Sequence, residues 1–465
     1  MQDVVPYLQH IVGRLSVAAK KYNARNMLIL YDAFGVLAHA VGSHLNREEY
    51  IRVIMPILSG KWVSVADGDR ALLPLLECLA CIARAIGLGF VGYSGPIFQR
   101  CIKIIHAEIH LAANVHRTIE EGVRSQKARG GTGACEAELR VMVAHAHDSG
   151  SADFAVCAME LIGSMVECLG PHAETLFVAE PKCVHVLVEA MGHPSPDVRQ
   201  SAFALVGDIF KCGYNIAEPA IPTIVRIVDK YLDPAFNAVC INAVWCLGEI
   251  AVSRCRHAHL LTAGLISRVI NVMLDAKNRS LKENCAITIG RLIISLSSAM
   301  LTSPVPPIVS SIPGVPAGAG AIAASRVSAT AAAEGTAAAA AIIAPALPLP
   351  PEAAAATLRC IAHLLPVEVW CNAIAGMRPG EGEKEQACRA LVYFSTELYP
   401  MSMSRGSVLH GLVRVILSWE APSIALCGMF RKMLQQVRCT LPQLWKRCIN
   451  DLPQDHRETI LRVGS

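Results

Sequence analysis

Four glycine-centred apolar segments recur along the middle of the chain: AMELIGSM (158–165), ALVGDIF (204–210), VWCLGEIAV (244–252) and ITIGRLII (287–294). Their glycines, Gly163, Gly207, Gly248 and Gly290, lie 44, 41 and 42 residues apart. Self-similarity at ~40–47 residues is the period of a two-helix unit that stacks on its neighbours. A chain built this way is quasi-one-dimensional, and its stacked helices expose columns of side chains along an extended surface.

Aligning the four segments on their glycines separates two faces at ~100° per residue. Positions −1, −4, −5 and +2 hold Ile162, Met159, Ala158, Met165; Val206, Phe203, Ala202, Ile209; Leu247, Val244, Ala243, Ile250; and Ile289, Ala286, Cys285, Leu292. All are apolar or small, so this is the expected packed side. The opposite side, at −6, −3, +1 and +4, is mixed. Its −3 column reads Glu160, Ala204, Trp245, Ile287, and its +1 column Ser164, Asp208, Glu249, Arg291. A mixed face of this kind is either a solvated surface laced with a few inter-repeat salt bridges or a binding surface for an extended partner. An aromatic away from the packed face, here Trp245, favours the second reading.

Helical spacing also runs through VVPYLQHIVGRLSVAAKKY, NMLILYDAFGVLAHAV, EEYIRVIMPILSGKW and LLPLLECLACIARAI, giving four helices before residue 90, and no segment alternates as a strand would. The expected class is all-α. PSPDVRQSAFAL (194–205) has the form of a HEAT-repeat turn, with Asp197 and Arg199 in the turn and Ala202 in the helix packing. Composition agrees: 53% of residues are hydrophobic and only 17% charged, below the usual ~25%. A formal net charge of +4 over 465 residues argues against a general nucleic-acid or membrane-surface binder.

Two polar or low-complexity segments divide the array. The expected organisation is repeats over 1–123, a flexible loop over 124–150, repeats over 151–302, a disordered Ala/Pro-rich insert over 303–356, and C-terminal repeats with a cap over 357–465. The insert holds nine of the 26 prolines. RPGEGEKE (378–385) reads as a further short linker. The 18 cysteines are scattered through apolar runs, as in a reducing compartment, and no basic segment leads from Met1 into an apolar signal core. The longest uncharged apolar stretch, 335–351, is broken by prolines and too short to span a bilayer, so no membrane insertion is expected.

Several ten-residue blocks go beyond a generic repeat. QSAFALVGDI (200–209), NAVWCLGEIAV (242–252) and ENCAITIGRL (283–292), in this order and spacing, closely resemble the transportins, the proline-tyrosine-signal receptors of the importin-β superfamily. VPYLQHIVGRL, NMLILYDAFGVLAHAVGSHLN, LLPLLECLACIA and WKRCINDLPQDHRETIL are similar to the same family, so the resemblance covers most of the chain outside 124–150 and 303–356. It implies a right-handed superhelical solenoid of HEAT repeats whose second helices line a concave face. It implies a nuclear import receptor, shuttling between cytoplasm and nucleus through the pore, that makes and breaks no bonds and needs no metal or cofactor. Cargo proteins with basic or proline-tyrosine nuclear localisation signals, nucleoporins and the GTPase Ran are the implied partners. By motif position, Glu160, Glu167 and Asp208 match acidic cargo contacts and Trp245 and Ile287 apolar ones, with Asn242 a hydrogen-bonding neighbour. Transportins are about twice as long as this chain. The half that binds Ran and the proline-tyrosine pocket have no counterpart here, which points to a partial chain.

Other motifs carry less. Cys78-x-x-Cys81 sits in an apolar helix without a second pair and reads as core thiols. CRHAH (255–259) offers at most three ligands on a loop. No P-loop, GxSxG or dinucleotide turn is present. Trp62, Trp370, Trp419 and Trp445 are expected in the core or at repeat junctions. The alternative to a receptor is a HEAT-repeat scaffold subunit of a multiprotein complex, which would not require acids and a tryptophan along one column.

Overall fold

The computed structural model describes residues 2–128, 151–253, 255–302, 351–378 and 382–464. Among the described residues every regular element is a helix. In chain order the α-helices are α1 (Leu8–Lys21), α2 (Ala24–Val41), α3 (Glu48–Ser64), α4 (Leu72–Ile86) and α5 (Val91–Ala128). Next come α6 (Ser151–Cys168), α7 (Pro171–Ala179), α8 (Cys183–Ala190), α9 (Pro196–Lys211), α10 (Ile221–Lys230), α11 (Asn237–Ser253), α12 (Ala263–Asp275) and α13 (Arg279–Thr302). The last are α14 (Pro351–Leu364), α15 (Val367–Gly376), α16 (Gly382–Tyr393), α17 (Gly406–Leu417), α18 (Ile424–Thr440), α19 (Pro442–Asn450) and α20 (Gln454–Gly464).

The second helices of the repeats form a continuous ladder: α2, α4, α6, α9, α11, α13, α16 and α18 each pack on the next. The first helices stack less closely, with strong pairs confined to steps such as α1–α3, α5–α8 and α15–α17. The side lined by second helices is therefore the more crowded side of the stack. The chain is a solenoid of HEAT-type helix pairs.

The glycine alignment correctly separates the buried side. All sixteen residues at −1, −4, −5 and +2 are at most 2% exposed. The glycines themselves stand where the next second helix comes closest. A Cβ at Gly248 would lie 2.8 Å from Thr288 Oγ1, and one at Gly290 would lie 3.0 Å from the Ala390 Cβ. At Gly207 it would run into the six-membered ring of Trp245. At these three a larger residue would press on the adjacent repeat, whereas at Gly163 an added Cβ would make only ordinary contacts, 3.6 Å from Asp208 Oδ2.

The turn from α8 to α9 follows its sequence. Pro196 opens the helix, Asp197 lies in its first turn, and Ala202 is fully buried. Arg199 donates to the carbonyls of His193 (2.6 Å) and Pro194 (2.7 Å), tying the helix start to the turn. Its guanidinium also lies 5.0 Å from the Tyr231 ring.

Several expectations need correction. The loop over 124–150 begins later, because α5 runs to Ala128, and the proposed insert ends earlier, because α14 starts at Pro351. The remainder of both segments lies outside the described residues. RPGEGEKE is not simply a linker: α16 begins at Gly382, and Lys384 is completely buried. Its ammonium donates to the carbonyls of Met377 and Ser418, both at 3.0 Å, and lies 5.0 Å from the Trp419 ring. A lysine is buried here because the C-terminal ends of α15 and α17 present carbonyl oxygens that need donors.

The apolar stretch 335–351 is also not the one that matters for membranes. Three helical stretches, Ala24–Leu45, Leu72–Thr118 and Pro234–Ser253, are long and apolar enough to cross a bilayer by length and composition. In this fold about half of each such window is buried inside the protein, 44%, 56% and 56% respectively. Their apolar stripes are the ones that pack in the helical ladder.

The tryptophans behave as expected. Trp62, Trp370 and Trp445 are buried and Trp419 is half-buried. Trp370 joins the two sides of the 303–350 segment, its indole donating to the Ala286 carbonyl at 2.9 Å.

Candidate functional site

A groove of about 460 Å³ opens along the second helices of successive repeats. Its lining comes from α4 (Arg84), α6 (Glu160, Glu167), α9 (Asp208) and α11 (Asn242), with small residues such as Gly163, Ser201 and Ala204 forming the floor. Helical phase explains the gathering. Residues at −6, −3, +1 and +4 of neighbouring helices project from one side of the stack, and the small ones among them, with Gly163, leave room between the rest.

Four of the six sequence-derived site residues, Glu160, Glu167, Asp208 and Asn242, line this groove together. Glu160 and Glu167 are exposed. Asp208 is half-buried and leans over Gly163, where its Oδ2 would lie 3.6 Å from an added Cβ. The Asn242 amide donates to the Gln200 carbonyl at 2.9 Å, which fixes the side chain at the far wall.

Burial, and after it the crowding of like charge, leaves its mark on the acids. Burial, followed by Glu167, pushes the Asp208 carboxyl up to about 7; Lys211 opposes the shift and Glu249 adds to it. Glu160 is also raised, first by burial and then by Glu77, with Arg84 acting in the opposite direction. A carboxyl with its ionisation displaced to neutral pH is one that a nearby cation would restore to its charged form.

Trp245 and Ile287 stand apart from these four. Trp245 is half-buried, its ring pressed on Gly207 one helix away, so packing accounts for much of its surface. Ile287 is only 7% exposed, and its expected place on an open apolar surface is corrected. The reason is local: Gly290 on the same helix admits Ala390 and Ala387 of α16 at close range, and α11 closes from the other side. The exposed aliphatics on this face are Val252 (55%) and Ile294 (40%), both at +4.

The +1 column is likewise less open than its sequence suggests. Ser164, Glu249 and Arg291 are buried. Arg291 donates to Glu249 Oε1 at 2.7 Å and to Gln386 Oε1 at 3.2 Å, making a charged seam between α11, α13 and α16. Of this column Asp208 and the buried Ser164 line the groove, and Asp208 is its one charged member there.

Two further acids, Asp32 and Glu77, lie outside the sequence-derived set. A second hollow of about 490 Å³ between α2 and α4 is lined by Asp32, Val36, His39 and Glu77 among others, and Glu77 is close enough to raise Glu160. The signal was present in the sequence. Counting from Gly35, Asp32 is at −3, Val36 at +1 and His39 at +4, while the residues at −1, −4 and −5 (Phe34, Tyr31, Leu30) are buried. In α4 the glycine position is held by Ala80, which puts Glu77 at −3 and Arg84 at +4. The missing glycine concealed the phase.

Cys78 is buried and Cys81 half-buried, with no bond between them, and burial raises the Cys78 thiol. Around CRHAH, His257 pairs with Glu218 at 2.9 Å. Among the described residues no group of three or more histidines, cysteines or carboxylates could hold a metal ion. The groove offers carboxylates, amides and one guanidinium, groups that hold a charged, extended segment by hydrogen bonds and ion pairs.

No protein-family model matches the chain. Over 295 residues, 62% of the chain, it is 35% identical to transportin-1 of Mus musculus, of which those residues cover 30%. It is 34% identical to transportin-1 of Oryza sativa subsp. japonica over 297 residues, covering 63% of this chain and 30% of the relative. Importin subunit beta-2 of Schizosaccharomyces pombe is 29% identical over 294 residues, 62% of this chain and 30% of that protein. Among solved structures, importin beta aligns with all of the chain and 56% of its own, at 10% identity and a TM-score of 0.41. The chain spans about 30% of the length of the curated relatives it matches. Within that span its sequence similarity is to the transportins, the importin β-2 type of karyopherin.

Proposed function

We propose that this chain binds the basic nuclear localisation signals of cargo proteins, proline-tyrosine signals among them, as part of a transportin-type nuclear import receptor. The observation that carries the reading is the convergence of Glu160, Glu167, Asp208 and Asn242 on one groove formed by successive second helices. Localisation signals are disordered and rich in Lys and Arg, so ordering one costs several kcal/mol that charge pairing must offset. Carboxylates spread over several helices suit an extended ligand, and Arg pairs with them in bidentate geometry. Trp245, half-buried on the same face beyond Asn242, offers its ring to an apolar residue, or the face of that ring to Arg. Similarity to transportins supports the same reading. Contacts with nucleoporins, and shuttling between cytoplasm and nucleus, belong to this proposal, as does the absence of catalysis. Ran is a partner of the receptor half that the resemblance leaves uncovered.

The test is fluorescence anisotropy of a labelled basic proline-tyrosine peptide against the chain, Trp245→Ala, and a Glu160→Lys/Asp208→Lys double variant. Salt-sensitive binding that the double variant abolishes is the expected result. A folded chain that binds no basic peptide would overturn the reading in favour of a scaffold subunit.

A further inference from the structure

Arg84 is out of keeping with the groove it lines. It projects from the last turn of α4 into a space whose other charged lining residues are Glu160, Glu167 and Asp208. It is exposed, and among the described residues it makes no hydrogen bond or ion pair. Elsewhere in this chain arginines close onto available carboxylates: Arg52 on Glu48 at 2.6 Å, Arg100 on Asp67 at 2.6 Å, and Arg279 on Glu283 at 2.7 Å. Arg84 does not do so, although its charge is felt at Glu160. At Asp208 the opposing cation is Lys211 instead. The groove thus sets one guanidinium at its α4 wall against carboxylates on α6 and α9.

We propose that Arg84 is a specificity-determining residue of this groove, selecting segments that carry one anionic side chain within an otherwise basic run. This rests on the cargo-binding reading above. Five guanidinium donors held in a planar fork match a carboxylate or phosphate in two parallel hydrogen bonds. A lysine or arginine of the ligand at the same place meets like charge, so the site rejects a uniformly basic segment as well as favouring a mixed one. The spacing follows from the ladder. Packed helices are about 8–10 Å apart and an extended chain advances about 3.3 Å per residue. From α4 to α9 is two steps, so the anion belongs about five or six residues from the basic residue that meets Asp208.

Peptides of equal length test this by anisotropy: one uniformly basic, two with a single glutamate six residues to either side of the central arginine, and two with phosphoserine at those places. Each is titrated with the intact chain, Arg84→Ala, Arg84→Lys and the Glu160→Lys/Asp208→Lys variant, all first checked for native helicity and melting. The expected result is a roughly three- to tenfold preference of the intact chain for one anion-bearing register. Arg84→Ala loses that preference, and Arg84→Lys, which keeps the charge without the fork, retains part of it. A larger gain for phosphoserine than for glutamate assigns the site to phosphate, and equal gains assign it to carboxylate. Binding to the groove with a preference that persists in Arg84→Ala, or with none, overturns this inference alone. Failure of every peptide to bind overturns the cargo-binding reading and this one with it.

Discussion

Asp208 should make the folded chain less stable as pH rises, and replacing it should reverse that effect. Its carboxyl is displaced from 3.8 to about 7, chiefly by burial and next by Glu167. A group whose folded pKa lies above its unfolded value favours folding fully below the unfolded pKa. That contribution is lost as pH climbs through the folded value. For Asp208 the window runs from about pH 4 to just above pH 7. A shift of about three units corresponds to a ceiling of about 4 kcal/mol. Asp208 keeps partial contact with solvent, which screens the interaction, so roughly 1–2 kcal/mol is the expected size. Asp208→Asn removes the ionisation while preserving shape. It should therefore be more stable than the parent at pH 8 by that amount, with the gap closing by pH 4. Stacked repeats do not unfold strictly in two states, so the readout is hydrogen exchange of amides in α6, α9 and α11 at the two pH values, alongside urea midpoints. A stability difference that is the same at both pH values, or larger at the acid one, would refute the reasoning. The same substitution should weaken peptide binding, because the strained carboxylate is also the one that pairs with a ligand cation.

Three further outcomes follow from the packing. Gly207→Ala forces the Trp245 ring off the neighbouring helix and should cost about 1–3 kcal/mol, with a shift in indole emission. Adding Trp245→Ala should recover most of that cost in a double-mutant cycle, and full additivity would show that the two do not meet. Glu249→Gln leaves the buried Arg291 with only the half-exposed Glu383 carboxylate, 3.8 Å away, and should destabilise by about 2–3 kcal/mol, whereas pairing it with Arg291→Met should restore much of the loss in thermal melts. Lys384→Met strands the Met377 and Ser418 carbonyls, and a local opening of about 1–3 kcal/mol should appear as faster exchange confined to residues near the ends of α15 and α17 and the start of α16.

What could be read from the sequence was set by local repetition. Residues at −1, −4, −5 and +2 were recognisable because each helix repeats the same apolar stripe, and Glu160, Glu167, Asp208 and Asn242 share the opposite phase. The misjudged positions depend on a neighbouring helix. Ile287 looks exposed in its own helix and is covered because Gly290 lets α16 come close. Glu249 and Arg291 carry opposite charges 42 residues apart in sequence, and only the stacking of α11 on α13 reveals that they meet at 2.7 Å. Lys384 sits in a charged, glycine-rich run that reads as a linker, while its burial is decided by carbonyls at 377 and 418. Glu77 is hidden for a simpler reason: Ala80 stands where the repeat has glycine, whereas Asp32 keeps its phase with Gly35.

The tryptophan lying on Gly207 also gives that step of the stack an uneven compliance. Moving α9 and α11 apart sacrifices dispersion contacts of only about 0.1–0.2 kcal/mol per atom pair, a shallow and recoverable loss. Moving them together drives a rigid ring into backbone, where repulsion rises steeply. The seam between these helices acts as a stop against tighter coiling and as a soft hinge against straightening. A ligand that reshapes the stack at this step would do so by uncoiling it.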